Sequence, residues 1–354
     1  MKKILKLFIC IFSMLSLLTV VGCSHNKNEN TKRTVVDMQG NTISLPGKVT
    51  KYSTVYSSSV PMIAMLDKDL EKCVMYPKSS WFEYWEFEMF EGVEEHSVRV
   101  NKREVTAEQI VESGTEVFFW NKASHKELVD SLTDMGIACV NVQVQNTDDL
   151  IKALEIIAEV LDTDYARSQL EKYKEKFTKY QQYAKAQVEK IPEDCKRSIL
   201  VIGNVDTLVG YGPNTYAIDW AEKVGLKYIL PSKDGADEVN LTIEQVYEFD
   251  PDIILANGIF DVEKIYEDPV WSVLRATQNN MLLSNPSVLD FWSMPTPEAP
   301  LQYIWSINKF YPDYVGDLNI IDEVQSFYKE FYGYEMSRED AEAIVSGQHF
   351  LMDK

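Results

Sequence analysis

The sequence predicts an α/β protein of two similar lobes joined by one long helix, and three observations carry that expectation. Short apolar strands alternate with helical stretches through the first half of the chain. A helical stretch from Asp164 to Ile191 follows, with no Gly or Pro until Pro192. The alternation then restarts at Ser198. Such alternation implies parallel strands with helical crossovers, and 354 residues suffice for two ordinary domains.

The elements follow in order. Arg33–Gly40 and Asn41–Pro46 alternate apolar and polar residues about a Gln-Gly-Asn turn, the pattern of a hairpin. Val49–Tyr56 reads as a strand and Pro61–Leu66 as a helix with proline in its first turn. Cys73–Tyr76 is a strand, Thr106–Ser113 a helix capped by Thr106, and Glu116–Trp120 a strand. Lys126–Met135 is a helix, Ile137–Val142 a strand after Gly136, and Asp148–Leu161 a helix. In the long stretch, Leu170, Tyr173, Phe177, Tyr180, Tyr183, Ala184 and Val188 recur at helical spacing. At ~1.5 Å per residue it runs on the order of 40 Å, longer than a small domain. A single helix without sustained heptads makes no coiled coil, so a strut between lobes fits it better. Beyond it come strand Ser198–Ile202, helices Ile218–Val224 and Leu241–Phe249, strand Asp252–Ala256, helix Asp268–Ala276, strand Met281–Ser284 and helix Pro297–Phe310. The aromatic-rich tail Ile320–Ile344 reads as helical, packed back on the second lobe.

The first residues carry a different signal. Lys2, Lys3 and Lys6 precede an apolar run from Leu7 to Val21. Roughly 15 apolar residues are too few for a ~30 Å hydrocarbon core and suit a secretory signal. The run ends at Val20-Val21-Gly22-Cys23, which resembles the bacterial lipobox, so Cys23 is expected to be lipidated and the chain cut before it. The polar residues after Cys23 read as a flexible tether. The expected divisions are therefore 1–22 signal, 23–33 tether, 34–162 first lobe, 163–192 connecting helix, 193–318 second lobe and 319–354 helical extension. The expected location is the outer face of the cell membrane, held by lipid.

Composition excludes some partners. Apolar content of 45% and charged content of 25% are those of a soluble globular protein. A formal charge of −20 argues against nucleic acid, whose phosphates need a basic face, and against lying flat on anionic lipid. Of five cysteines, Cys73, Cys139 and Cys195 remain after Cys10 and Cys23; an odd, widely spaced trio is no disulfide framework, and buried thiols are expected, with one bridge left open. The four histidines show no ligand spacing, so no metal site of His and Cys is expected.

Several segments together resemble a known family. TVVDMQGNTISLPGKVTKYSTV is similar to its opening strand pair and first strand, VTAEQIVESGTEVFFW and LTIEQVYEFDPDIILANG to its helix-then-strand repeat, MPTPEAPLQYIWSINKFYPD to its last lobe helix, and FYKEFYGYEMSREDAEAI to a C-terminal extension. The family is that of substrate-binding lipoproteins of ABC importers for iron–siderophore, haem and cobalamin. The resemblance implies two Rossmann-like α/β lobes on a single helix, the class III periplasmic-binding-protein architecture. It also implies an ABC permease and its ATPase as partners of a monomeric receptor. The family places a glutamate at the start of each repeated helix, where it docks an arginine pocket of the permease; here these are Glu108 and Glu244. Carboxylates so placed would form bidentate pairs with arginine, although an acid in a first turn is also favoured by the helix dipole alone.

In open α/β lobes ligands sit outside the carboxyl ends of the strands. The corresponding loops are Tyr56–Ser59, Tyr76–Trp81 with Tyr84 and Trp85, Trp120–Lys122, Asn204–Thr215, Asn257–Phe260 and Asp290–Met294. Tyr56, Ser58, Tyr76, Trp81, Trp120, Tyr211, Asn214, Phe260 and Trp292 are the expected ligand contacts, Trp120 and Trp292 foremost, with part of this aromatic set expected in the core. Aromatic faces with polar tips suit a bulky chelate. A catecholate complex would favour arginines, and these loops offer Lys78 and Lys122. Haem would want an axial Tyr or His, for which Tyr56, Tyr76 or Tyr211 could serve. Molybdate would be held by backbone N–H groups near Ser57–Ser59. A ferric hydroxamate or a corrinoid fits best; no intrinsic cofactor and no bound structural metal is expected.

Two rival readings remain. Gly210-Tyr-Gly212 mimics a dinucleotide turn but lacks the third glycine, and no nucleophile elbow, HExxH or P-loop is present. An enzyme is therefore not expected. A surface sensor or interaction subunit uncoupled from import would use the same fold.

Overall fold

The computed structural model describes residues 33–347 apart from 69, 79–82, 122–124, 213–214, 230–237 and 259–261. The expected signal, Cys23 and the tether as far as residue 32 lie outside the described residues, as do Trp81, Lys122, Asn214 and Phe260.

The chain opens with antiparallel strands β1 (Arg33–Val36) and β2 (Thr42–Leu45). Buried Asp37 shapes their turn by accepting from the backbone N–H of Gln39 at 3.0 Å and of Asn41 at 2.9 Å. Gly40 takes φ of 82° there, a conformation open to glycine at little cost.

The first sheet is all parallel, in the order β5-β4-β3-β6-β7, from β3 (Tyr52–Thr54), β4 (Cys73–Pro77), β5 (Val98–Val100), β6 (Val117–Trp120) and β7 (Ala138–Asn141). Helices α1 (Ser59–Leu66), α2 (Glu83–Met89), α3 (Ala107–Glu112), α4 (Lys126–Asp134) and α5 (Thr147–Leu161) belong to this lobe. Along β6 the side chains alternate between two clusters. Val117 and Phe119 join the main core, whereas Phe118 and Trp120 pack with Ile110, Val129 and Leu132 under α3 and α4.

Helix α6 (Asp164–Val188) leads from this sheet to the next. Thr163 caps it by accepting from Ala166 N–H at 3.0 Å. Its buried face holds Leu170, Tyr173, Phe177, Tyr180 and Ala184. The helix stops at Val188, short of the expected Ile191, and a tight turn with Ile191 N–H donating to Val188 C=O leads to Pro192.

The second sheet follows the path β11-β9-β8-β12-β13, with β10 also on β8, from β8 (Ser198–Ile202), β9 (Val209–Tyr211), β10 (Lys227–Tyr228), β11 (Glu238–Asn240), β12 (Ile253–Ala256) and β13 (Leu282–Ser284). Here β9 is antiparallel to β8 and to β11, an addition to the parallel strands that the alternation implies. The link from Ile202 to Val209 is too short for the crossover that parallel pairing requires. Helices α7 (Tyr216–Lys223), α8 (Ile243–Phe249), α9 (Val262–Glu267), α10 (Arg275–Gln278) and α11 (Ala299–Phe310) accompany it. The expected helix Asp268–Ala276 is replaced by turns as far as α10; Asp268 turns the chain by accepting from Val270 N–H at 2.7 Å around Pro269.

The tail forms two helices, α12 (Ile320–Tyr332) and α13 (Arg338–Ser346), broken where Gly333 adopts φ of 68°. Phe331 of α12 meets Tyr173 of α6 edge-on at 5.6 Å. Exposed ion pairs at this seam, such as Lys179–Glu323 at 3.0 Å, contribute about 0–1 kcal/mol each. Each fully buried aromatic contributes roughly 1.5–3 kcal/mol, so apolar packing dominates the docking of the tail.

Both lobes carry the same helix–strand module. Thr106 and Gln109 form a reciprocal capping box at α3, and Thr242 and Gln245 form its counterpart at α8. Glu116 ahead of β6 accepts from the N–H groups of Thr50 and Lys51, and Asp252 ahead of β12 accepts from the N–H and hydroxyl of Ser198. A carboxylate thus ties the module's strand to the start of β3 or β8 in each lobe.

Candidate binding cleft

Between the two sheets lies a chamber of about 180 Å³. Tyr56 and Ser58 enter it from the loop after β3, Asn121 from the end of β6, and Gln143, Val144 and Gln145 from the end of β7. The second lobe contributes Tyr211 of β9, Thr215 and Tyr216 at the start of α7, Glu238 of β11, Asn257 after β12, and Ser293, Met294 and Pro295 after β13. Most of these are carboxyl-end positions, where the strand geometry leaves loops free to diverge.

Asn121 and Asn257 directly follow the equivalent strands β6 and β12, so the module presents one amide from each side. The Asn257 amide is oriented by its surroundings. Its Oδ1 accepts from Asn285 Nδ2 at 3.0 Å and from Ser293 Oγ at 2.8 Å, which leaves Nδ2 as the group turned towards Met294 Sδ at 3.6 Å. Burial pushes the Tyr211 hydroxyl above its usual range, and burial likewise raises Tyr56; both stay neutral phenols able to donate or accept.

Beneath the chamber runs a buried acidic layer. Ser58 Oγ donates to Asp290 Oδ2 at 2.8 Å, a hydrogen bond that crosses from one lobe to the other. Burial pushes Asp290 up to about 6, opposed by that hydroxyl and by Phe291 N–H. Glu298, fully buried, accepts from Leu289 N–H at 3.1 Å, from Asp290 N–H at 2.8 Å and from the Tyr328 hydroxyl, yet burial still pushes it up to about 8. Glu86 is raised by burial to about 7 although Arg99 stands 3.3 Å away.

Among the expected contacts, Tyr56, Ser58 and Tyr211 meet in this chamber. Tyr76, Trp120 and Trp292 do not line it. Tyr76 is wholly buried, with Arg99 over its ring at 6.0 Å. Trp120 faces the α3–α4 side of its sheet because the strand's two-residue period sends it there. Trp292 is wholly buried and donates from Nε1 to Tyr328 Oη at 3.2 Å; helix α12 covers the ring expected to face ligand. Gln143, Gln145 and Glu238 were not anticipated. The end of the Ile137–Val142 strand points to the two glutamines, whereas β11 has no clear sequence pattern. Glu108 and Glu244 occupy matching exposed positions in the first turns of α3 and α8, and hydrogen bonds with local backbone and the capping threonine hold both below the usual carboxylate range. Cys73 and Cys139 are buried free thiols and Cys195 an exposed one. Among the described residues no group of His, Cys, Asp and Glu could hold a metal ion.

Two lobes of α/β structure, a single long helix between them and a cleft built from strand ends define the periplasmic solute-binding-protein fold of ABC importers. Three solved structures illustrate it: a periplasmic solute-binding protein of Veillonella parvula (TM-score 0.72, 20% identity, 89% of this chain and 97% of that one), the molybdate-bound MolA of Haemophilus influenzae (0.75, 18%, 86% and 99%), and Helicobacter pylori CeuE in its Ni-His complex (0.70, 16%, 88% and 98%). No family model and no curated sequence matches the chain.

Proposed function

We propose that this protein is an extracytoplasmic solute-binding lipoprotein that captures a metal chelate, a ferric siderophore foremost, between its lobes and delivers it to an ABC permease and its ATPase. The observation that carries the reading is the chamber itself, closed from both sides by the strand-end loops of two sheets. Its donors and acceptors are amides, phenols and hydroxyls with one carboxylate, Glu238, on an apolar wall, suited to orienting a ligand without reacting with it. Capture therefore proceeds without chemistry. The neighbours bound to molybdate and to Ni-His carry compact ligands, and a chamber of about 180 Å³ favours a compact oxyanion as the second reading; corrinoid and haem are larger alternatives on the same fold. Tyr56, Ser58 and Tyr211 remain our ligand contacts, joined by Asn121 and Asn257.

Tryptophan-fluorescence titration against a ferric hydroxamate, haem, cobalamin and molybdate tests the reading. We expect saturable binding of the ferric complex. Binding of molybdate alone would select the second reading, and silence for all four would remove solute capture of this kind.

A further inference from the structure

A second cavity of about 680 Å³ adjoins the chamber and shares Tyr56, Ser58 and Asn121 with it. It lies wholly on the first lobe, between the loop after β3, the loop after β5 and the start of α4. Its size falls in the range of about 300–1,000 Å³ that accommodates small-molecule ligands, whereas the chamber alone is below it.

The charge in this recess is unusual for the chain. Lys102 and Arg103 both line it and both are exposed. Arg103 N–H is held by Asn101 Oδ1 at 3.1 Å, which fixes the turn that carries both cations. Lys102 Nζ donates to Ser57 Oγ at 3.2 Å, and among the described residues neither cation is paired with a carboxylate. The protein has 35 Lys and Arg against 55 Asp and Glu, so acids to neutralise two adjacent cations are plentiful; the one lining the recess, Glu127, is paired with neither. Lys102 is compensated in part by the buried Asp290 carboxylate behind Ser58, on which it acts electrostatically, whereas the Arg103 guanidinium has no such acid among the described residues. Two like charges side by side repel each other unless compensated. His125, half-buried at the same wall, has a buried Nδ1 with no hydrogen-bond partner among the described residues. At the matching place ahead of the capping threonine in the second lobe stands Glu238, which lines the chamber. The cleft is therefore polarised, basic on the first-lobe side.

We propose that the solute is bipartite: a compact part sits between Asn121 and Asn257, and an anionic, carboxylate-bearing arm extends over the first lobe into the recess against Lys102 and Arg103. This rests on the solute-capture reading and specifies its ligand. The planar guanidinium suits a carboxylate bidentately and the ammonium adds a point charge. The chamber sets which head group fits, and the recess selects for negative charge.

Calorimetric titration of the wild type and of the Lys102→Ala/Arg103→Ala double variant with two probes tests this: ferric citrate, which is anionic and carries free carboxylates, and a neutral ferric trihydroxamate. We expect the wild type to bind ferric citrate more tightly. The double variant should lose roughly tenfold or more of that affinity, with a weaker salt dependence, and keep its affinity for the neutral complex within about twofold. Equal loss for both probes, or loss for neither, overturns the recess and leaves solute capture standing. Binding of neither probe by the wild type overturns chelate capture, and the recess proposal falls with it.

Discussion

Glu298 stands at the N-cap of α11, where the helix dipole favours a negative charge, and three donors reach its carboxylate. Burial outweighs them and raises it to about 8. A carboxyl whose folded-state pKa is raised holds its proton more tightly in the folded protein than in the unfolded chain. Its contribution therefore turns unfavourable as pH rises from 4.5 towards about 8. Asp290 and Glu86, raised to about 6 and about 7 by the same cause, act in the same direction over narrower windows. Replacing Glu298 by Gln removes the largest of the three. The variant's Tm should gain on that of the wild type as pH is raised through this window, at roughly 1–2 °C per kcal/mol for a chain of this size. Thermal melts across the series check it, and parallel curves would show that Glu298 is ionised in the fold. A constant offset from altered hydrogen bonding does not affect the comparison of slopes.

The unit that recurs at the level of elements is the capped helix followed by a clamped strand. In both copies the threonine–glutamine box fixes the first turn, and the glutamate inside that turn is exposed with its carboxyl held below its usual range. One such acid satisfies local dipole chemistry; two at matching positions, one per lobe, form a pair that a partner can read. We propose that Glu108 and Glu244 dock arginines of the permease. Substituting both by Arg should abolish uptake in whole cells while leaving solute affinity within about twofold, because neither residue lines the cleft. Retained uptake would return both glutamates to first-turn acids favoured by the helix dipole. This module was legible beforehand, since a Thr-x-x-Gln box and an apolar strand are local patterns. Strand β5 was not, because Val98-Arg99-Val100 is too short and too exposed to show a period, and the Lys102–Arg103 turn behind it went unnoticed with it. The tail read as one helical span, and Gly333 divides it.

Across the whole molecule, hydrogen bonds tie the lobes to each other and the extension to the first lobe. Ser58 reaches Asp290, Asp219 of α7 accepts from the N–H of Thr147 at the start of α5 at 2.9 Å, and Tyr332 of the extension donates to Pro61 C=O of α1 at 3.2 Å. The proposed capture and delivery would keep an acidic receptor near a membrane permease by a tether, and we propose that lipidated Cys23 provides it. Replacing Cys23 by Ala should move the protein from the detergent-extracted membrane fraction into the medium or periplasmic extract. An unchanged membrane fraction would count against the anchor.

The amino-acid sequence by itself determined the α/β class, the long helix, the repeated module and the placement of the cleft loops at strand ends, because each of these rests on local periodicity, capping and chain length. Tertiary structure decided which side chains meet in the cleft. Trp120 was removed from it by the parity of its strand, Trp292 by a helix more than thirty positions further along the chain (its Tyr328 hydroxyl accepting the indole N–H), and Tyr76 by its burial in the core of the first lobe. Asn121, Asn257, Lys102 and Arg103 were brought there by distant strand pairings. Orientation and burial depend on partners remote in sequence, and no local pattern encodes them.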